Sequence, residues 1–326
     1  MLAAKETIAL DRVMSLRYGE NPHQSAGLYR EYSAGSEGLW KQLQGKELSY
    51  NNLLDMYGCL DLFLELDAAR PSGKEVAVVI KHSNPCGAAL ADTTLEAFTR
   101  ARACDPLSAF GGIVAFSGEL TEELAETILE GFVEVLLVSS LSDGAKAVLE
   151  KKKNLRLILC DFDGLHGQRQ QSSITVRNFH GDYLVQTVDA TLQPLSADSL
   201  AAGPKLDSDK LADMEFAWKL AKHVKSNTIV IVKDLQGIGI GAGQMSRVDA
   251  ARIAVQRAKA HGHSIEGAVA ASDAFLPFPD TLEILAEAGV TGLVQPGGSI
   301  KDKVVIEAAE TLAVSMLLTG ERHFRH

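Results

Sequence analysis

The feature that most constrains this chain is a regular alternation of short β-branched runs with longer amphipathic segments. Apolar, β-branched stretches predict strands over 75–80, 112–116, 133–138 and 155–160, separated by helices over 94–103, 121–131 and 143–153. Thr121 stands where a helix N-cap belongs, with Glu123 and Glu126 near the positive end of the dipole. Lys151, Lys152 and Lys153 are placed to close the helix over 143–153. The theme then repeats. Short strands are expected over 173–176 and 183–189, and further strands over 228–233, 267–271 and 292–295. Helices are expected over 208–223, 248–261, 281–288 and 301–312. Strands alternating with helices predict an α/β fold with a mainly parallel sheet covered on both faces. Two such runs predict a duplicated α/β unit. A polar, Gln- and Gly-rich stretch over 164–172 suggests the boundary, giving units 1–166 and 167–326.

Composition narrows the function. A formal net charge of −10 does not suit tracking along a phosphate backbone, so no nucleic-acid partner is expected. The four cysteines, Cys59, Cys86, Cys104 and Cys160, include no C-x-x-C pair, which fits a reducing, cytoplasmic setting rather than a disulfide framework. No apolar run approaches membrane-spanning length, and the N-terminus has no signal-peptide core.

Several segments can carry chemistry. Lys81-His82-Ser83-Asn84-Pro85-Cys86-Gly87 follows the strand over 75–80, where parallel sheets bind ligands, and a Lys–His pair suits proton transfer and oxyanion stabilisation. The same residues equally suit a solvated loop. Pro85-Cys86 invites comparison with zinc deaminases, but position 89 is Ala89 and no H-x-E precedes it, so no metal is expected. Arg17 to Gln24 gathers a guanidinium, a phenol and an imidazole on a Gly- and Pro-punctuated loop. Residues 237–247 alternate Gly with Ile before a helix. That pattern serves an anion at a helix N-terminus, or a strand packed closely on its neighbour. Phe275, Phe278 and Asp280 can clamp a flat heterocycle or form an apolar turn.

Taken in order, these segments resemble one family. RYGENPHQ at 17–24, GKELSYNN at 45–52, KHSNPCG at 81–87, DPLSAFGGIVAF at 105–116, FAWKLAKHVKSN at 216–227, GIGAGQMSR at 239–247, SDAFLPFPD at 272–280, QPGGSIKD at 295–302 and RHFRH at 322–326 are similar to the transformylase domain of bacterial AICAR transformylase/IMP cyclohydrolase enzymes. The resemblance covers the chain from about Arg17. It implies two cytidine-deaminase-like three-layer α/β/α units without zinc, and a homodimer with active sites at its interface. The implied reaction is formyl transfer from 10-formyltetrahydrofolate to the 5-amino group of AICAR, giving FAICAR. It also allows a structural monovalent cation.

By position, the resemblance makes Lys81, His82 and Asn227 catalytic. It makes Arg17, Tyr18, His23, Asn52, Asp105, Gly111, Arg322 and His326 substrate-binding, with the terminal His326 buried at the site. It puts Arg247, Phe275, Phe278 and Asp280 on the folate side. Leu276 stands where the family carries a second Phe, which implies weaker folate stacking. The pattern begins so near residue 1 that no cyclohydrolase domain is expected before it, and a separate ring-closing enzyme is expected in the pathway. A catalytically silent nucleotide- or folate-binding homologue is the alternative, against which Lys81, His82 and Asn227 argue.

Overall fold

The computed structural model describes residues 5, 7–31, 38–171, 174–190 and 192–326. The expected strand over 173–176 therefore begins one residue outside the described part. The first half runs β1 (Leu10–Leu16), β2 (Ala26–Glu31), β3 (Trp40–Gln44), α1 (Tyr50–Ala69), β4 (Glu75–Lys81), β5 (Asn84–Ala91), α2 (Thr94–Ala103), β6 (Gly112–Phe116), β7 (Glu119–Leu120), α3 (Glu122–Leu129), β8 (Val133–Val138), β9 (Ser140–Leu141), α4 (Asp143–Leu149), β10 (Arg156–Cys160) and α5 (Phe162–Gln171). A ribbon, β11 (Ile174–Phe179) and β12 (Asp182–Thr187), follows. The second half runs β13 (Leu200–Ala202), α6 (Ser208–Lys222), β14 (Ile229–Lys233), β15 (Gln236–Gly241), α7 (Arg247–Ala260), β16 (Val269–Ser272), α8 (Asp280–Glu287), β17 (Gly292–Gln295), α9 (Asp302–Thr311) and β18 (Ser315–Leu318).

Twelve strands form one sheet in the order β13-β18-β17-β16-β14-β15-β5-β4-β6-β8-β10-β3. Read outward from the centre, each half repeats the same plan. A hairpin (β5–β4 or β15–β14) is followed by three mutually parallel strands (β6, β8, β10 or β16, β17, β18) and an antiparallel edge strand (β3 or β13). The halves join antiparallel at the centre, where Gln236 faces Ala89.

The sheet is therefore mixed, which corrects the expectation of a mainly parallel one. The cause is local. The chain leaves β4 and β14 through two-residue turns, and tight turns return antiparallel strands. Strand β5 is absent from the sequence-based expectation because Pro, Gly and Ala make up most of it, and β15, half glycine, is expected only as one of two readings of the 237–247 stretch. Glycine serves close packing there. A Cβ at Gly87 would overlap the carbonyl oxygen of Ala101 on α2, and one at Gly239 that of Ala254 on α7. The alternating Gly and Ile of this stretch thus form a strand laid on a helix. Helix α1 is likewise absent from the sequence-based expectation. Its apolar residues lie all round, with Leu53, Met56, Leu60 and Phe63 buried as well as Leu62, Leu64 and Leu66, so no amphipathic period marks it.

Three layers result. Helices α1 and α6 share one continuous core across both halves, including Phe63, Val78, Trp218, Val230 and Val294. The opposite face carries separate cores under α2, α3 and α4, and under α7, α8 and α9. Thr121 caps α3 as expected, its hydroxyl accepting from the Leu124 amide at 3.3 Å. Helix α4 stops at Leu149 with Glu150 as its C-cap, so the three lysines lie beyond it.

Candidate active site

The β4–β5 turn is the starting point. His82 and Ser83 are its two central residues, at φ 52° and 58°. Two successive left-handed residues make a type I′ turn, normally built from Asn and Gly. A side chain in that region costs roughly 1–2 kcal/mol per residue. Asp55 on α1 offsets this. Its carboxylate accepts from the His82 amide at 2.9 Å, the Ser83 amide at 2.7 Å and the Ser83 hydroxyl at 3.0 Å. His82 is left exposed. Lys81, the last residue of β4, donates from Nζ to the Phe110 carbonyl at 2.6 Å, which sets the ammonium beside Gly111. Gly111 needs its φ of +76°, and its amide donates to the Phe132 carbonyl at 2.7 Å.

The second half meets this turn through Asn84, whose Oδ1 accepts from the Lys225 amide at 3.0 Å. That contact brings the 225–227 segment, and so Asn227, to the Lys81–His82 turn. Asn227 donates from Nδ2 to the carbonyls of Gln244 at 2.9 Å and Met245 at 3.2 Å. Both amide protons are thereby engaged, and its Oδ1 is left to accept.

The C-terminal tail docks on the same segment. Ser226 donates its amide to the Arg325 carbonyl at 2.9 Å. Buried His323 meets Asp189 at 2.7 Å and packs edge-on against Trp218 at 5.2 Å. Burial raises the Asp189 carboxyl, but the hydrogen bond and charge of His323 outweigh it and leave its pKa lowered. Arg322 lies over the Phe324 ring at 4.7 Å, and the rings of Phe324 and His326 stand 5.5 Å apart. The tail is anchored, not frayed. His326 itself is exposed in the single chain.

Asp273, fully buried, ties these parts together. It accepts from the Ser226 hydroxyl, from the Thr228 amide at 3.4 Å and from Arg247 Nη2 at 3.4 Å, and its carbonyl accepts from the His323 amide at 3.2 Å. Burial pulls the Arg247 guanidinium down, partly offset by Asp273. Arg247 also reaches over Phe324 at 5.9 Å. Farther along, Phe275 is partly buried, Phe278 is half-exposed with Lys301 Nζ 4.4 Å from its ring centroid, and Asp280 accepts from the Thr281 amide at 2.8 Å. Leu276 is wholly buried in the core under α7 and α8. It therefore has no face to offer a folate, and the expected loss of stacking does not follow from that residue.

Other expected residues are held elsewhere. Asp105 pairs with Arg257 and with His261 at 3.3 Å, and accepts from the Ser108 amide at 2.9 Å. Asn52 closes the capping box of α1 with Ser49 and donates to Glu134 at 3.0 Å. Arg17 and His23 are exposed and Tyr18 half-buried on a loop anchored to α1 by Asn51, which donates to the Glu20 carbonyl at 3.3 Å. A cavity of about 610 Å³ lies at the carboxyl ends of β6, β8 and β10, lined by Trp40, Phe63, Asp67, Arg70, Ser117 and Asp161 among others. None of the expected site residues lines it. Among the described residues no group of three His, Cys, Asp or Glu is placed to hold a metal ion, and no helix is long and apolar enough to cross a membrane. Cys86 of the KHSNPCG segment is buried, and burial pushes its thiol up to about 12, that of an inert core residue.

The model of the AICARFT/IMPCHase bienzyme family matches residues 2–257. The chain belongs to that family. It is 44% identical over 324 residues to the bifunctional purine biosynthesis protein PurH of Desulfitobacterium hafniense, covering 98% of this chain and 60% of that protein. It is also 44% identical over 328 residues to PurH of Pelodictyon phaeoclathratiforme, covering 99% and 61%. The chain thus spans about 60% of the length of the curated relatives it matches. A dCMP deaminase from cyanophage S-TIM5 aligns with 34% of the chain at 19% identity and a TM-score of 0.25, too low to carry an argument.

Within this AICARFT/IMPCHase chain, several residues that build the site escape a motif reading. Asp55 and Asp273 are single carboxylates that matter through where the helix and strand place them. A buried cluster behind the site is likewise unmarked. Glu65 on α1 accepts from Lys222 at 3.0 and 3.2 Å, from His223 Nε2 at 2.8 Å, and from Arg169. Burial raises Glu65, but the hydrogen bond from His223 and the charges of Lys222 and Arg169 outweigh it and hold its carboxyl well below the usual range. Burial lowers His223 despite Glu65. A neutral imidazole fits both contacts, with Nε2–H donating to Glu65 and Nδ1 accepting from Arg325 at 3.3 Å.

Proposed function

We propose that this chain transfers the formyl group of 10-formyltetrahydrofolate to the 5-amino group of AICAR, giving FAICAR and tetrahydrofolate. The observation that carries this reading is the meeting, in a chain of this family, of the Lys81–His82 turn, the Asn227 segment and the docked tail. The family's printed description and the purine-biosynthesis relatives support the same substrate class.

The amino group of AICAR is a weak nucleophile because its lone pair is delocalised into the ring. It attacks the formyl carbon, forms the new C–N bond and must lose a proton. Exposed His82 takes that proton. Lys81, already donating one of its three protons to Phe110, keeps two for the tetrahedral oxyanion. The free Oδ1 of Asn227 accepts from the attacking amine and orients it. Collapse breaks the bond to folate N10, and N10 leaves with a proton returned to it. Arg17, Tyr18, His23, Asn52, Asp105, Gly111, Arg322 and His326 contact the nucleotide in this reading. Arg247, Phe275, Phe278 and Asp280 contact the folate.

The fold reading that goes with it is two cytidine-deaminase-like units arising by duplication, working without zinc in the cytoplasm. The recurrence of the strand order in the two halves supports it. A homodimer with interface active sites accounts for Arg17, Tyr18 and His23 standing exposed or half-buried on their own loop in the single chain. The test is release of tetrahydrofolate from 10-formyltetrahydrofolate with and without AICAR, beside Lys81→Ala/His82→Ala. AICAR-dependent turnover, lost in the double variant, is expected. Binding of both ligands without turnover in the unaltered protein identifies a silent binder instead.

A further inference from the structure

We infer that Asp55 is the positioning residue of the proposed active site, holding His82 and Ser83 in a backbone conformation that places the imidazole for proton transfer. The inference rests on the formyl-transfer reading and deepens it. Three observations carry it. His82 and Ser83 both lie in the left-handed region, at φ 52° and 58°, without a glycine or asparagine between them. The one carboxylate of Asp55 takes both their amides and the Ser83 hydroxyl, at 2.7 to 3.0 Å. The identical device stands in the other half. There the β14–β15 turn is Asp234-Leu235, also at φ 52° and 58°, and its amides donate to Asp213 at 2.8 and 2.6 Å.

Asp55 and Asp213 are each the sixth residue of their helix. An acid at that place is thus the fold's means of holding a non-glycine type I′ turn. Only in the first half does the held turn present an imidazole. Asp55 touches no reacting atom in this scheme. It acts through the direction in which Cα82 sends its side chain. An asparagine at 55 retains one acceptor oxygen for two amides, so one of them loses its partner.

The pair supplies its own control. Asp55→Asn and Asp213→Asn are each expected to lower Tm by a few degrees. Asp55→Asn is expected to lower kcat about a hundredfold with KM for AICAR changed less than about threefold, the signature of a displaced group rather than lost binding. Asp213→Asn is expected to keep kcat within about twofold. Adding Ser83→Gly to Asp55→Asn removes the steric cost of the left-handed region and is expected to restore at least about tenfold of the lost kcat. Should Asp55→Asn fail to fold, Asp55→Glu, which shifts the carboxylate by one methylene, takes its place with the same expected direction. Equal losses of kcat in the Asp55 and Asp213 variants, kcat unchanged at Asp55→Asn, or no recovery with Ser83→Gly each overturn the inference while leaving formyl transfer standing. An unaltered protein without AICAR-dependent turnover overturns the functional reading and this inference with it.

Discussion

The two hairpin turns of the central sheet share nearly everything except their chemistry. Each follows a lysine, Lys81 or Lys233, whose Nζ donates to a backbone carbonyl, of Phe110 at 2.6 Å or of Glu266 at 2.8 Å. Each is clamped by a helix aspartate. Yet the first presents His82 beside Asn84, Lys225 and the tail, whereas the second presents Asp234, whose carbonyl accepts from Arg100, and Leu235, whose carbonyl accepts from the Leu90 amide at 2.9 Å. The second turn is stitched into the first half as structure. The first is left open as a site. Backbone and clamp are common property of both halves, and function resides in a few side chains and in what approaches them.

The largest expected difference follows directly. His82→Ala removes the proposed proton acceptor and is expected to lower kcat roughly a hundredfold to ten-thousandfold. Asp234→Ala, at the equivalent place, is expected to leave it within about twofold. Steady-state kinetics of the pair checks this. Loss of activity at both would break the comparison and make the turns mechanically, not chemically, equivalent.

The next effect tests where the halves touch. Glu65 is the sixteenth residue from the start of α1, and His223 holds the same place counted from the start of α6. They meet at 2.8 Å. Identical residues there would oppose two carboxylates, or two imidazoles, in a buried space. The sequence differs between halves at the point where symmetry would place like against like. Glu65→Gln leaves Lys222 and Arg169 without their counter-charge, and a broken buried pair costs about 3–5 kcal/mol. Urea unfolding is expected to report that loss in one transition, because α1 and α6 share a single core.

A smaller effect sharpens the likeness. Gly87 is the fourth residue of β5 and Gly239 the fourth of β15, and each faces the carbonyl of the eighth residue of the following helix. Gly87→Ala and Gly239→Ala must each push a helix off the sheet, at about 1–3 kcal/mol. Near-equal losses are expected by thermal melting. A silent Gly239→Ala would show that the second half packs more loosely than the first.

These contacts also explain what was legible in the sequence. The β-branched runs at 75–80, 133–138 and 228–233 announce strands because burial on both faces requires them. Strand β5 does not, and β15 does so only as one of two readings, since their small residues are chosen by the helices above them, a tertiary demand. Helix α1 is hidden for the opposite reason, being apolar on every side. Lys81, His82 and Asn227 are readable as a family pattern, and the fold brings their segments together. Asp55, Asp273 and Glu65 carry no pattern of their own. A carboxylate becomes a clamp only when a helix from elsewhere in the chain delivers it to a turn.

The smallest effect is one of pH, and it separates the buried pair between the halves from the clamp of the second turn. Both members of the Glu65–His223 pair have folded-state pKa values below their ordinary ones. Each therefore binds fewer protons folded than unfolded, and stability rises with pH through the range where the unfolded group titrates. For His223 the loss begins as pH falls below about 6.5, and for Glu65 below about 4.5, with at most about 1.4 kcal/mol per pH unit for each proton. Asp213 runs the other way. Burial raises its pKa despite the amides of Leu235 and Asp234, so it removes stability as pH rises through the carboxylate range. Asp213→Asn is therefore expected to steepen the acid side of the stability curve slightly, and His223→Gln to flatten it between pH 5 and about 6.5. Unfolding curves of the three proteins from about pH 3.5 to about pH 7 check both signs. A His223→Gln curve that rises more steeply than that of the unaltered chain as pH passes about 6.5 would mean that the imidazole is protonated in the fold, and that Glu65 is met by three cations rather than two.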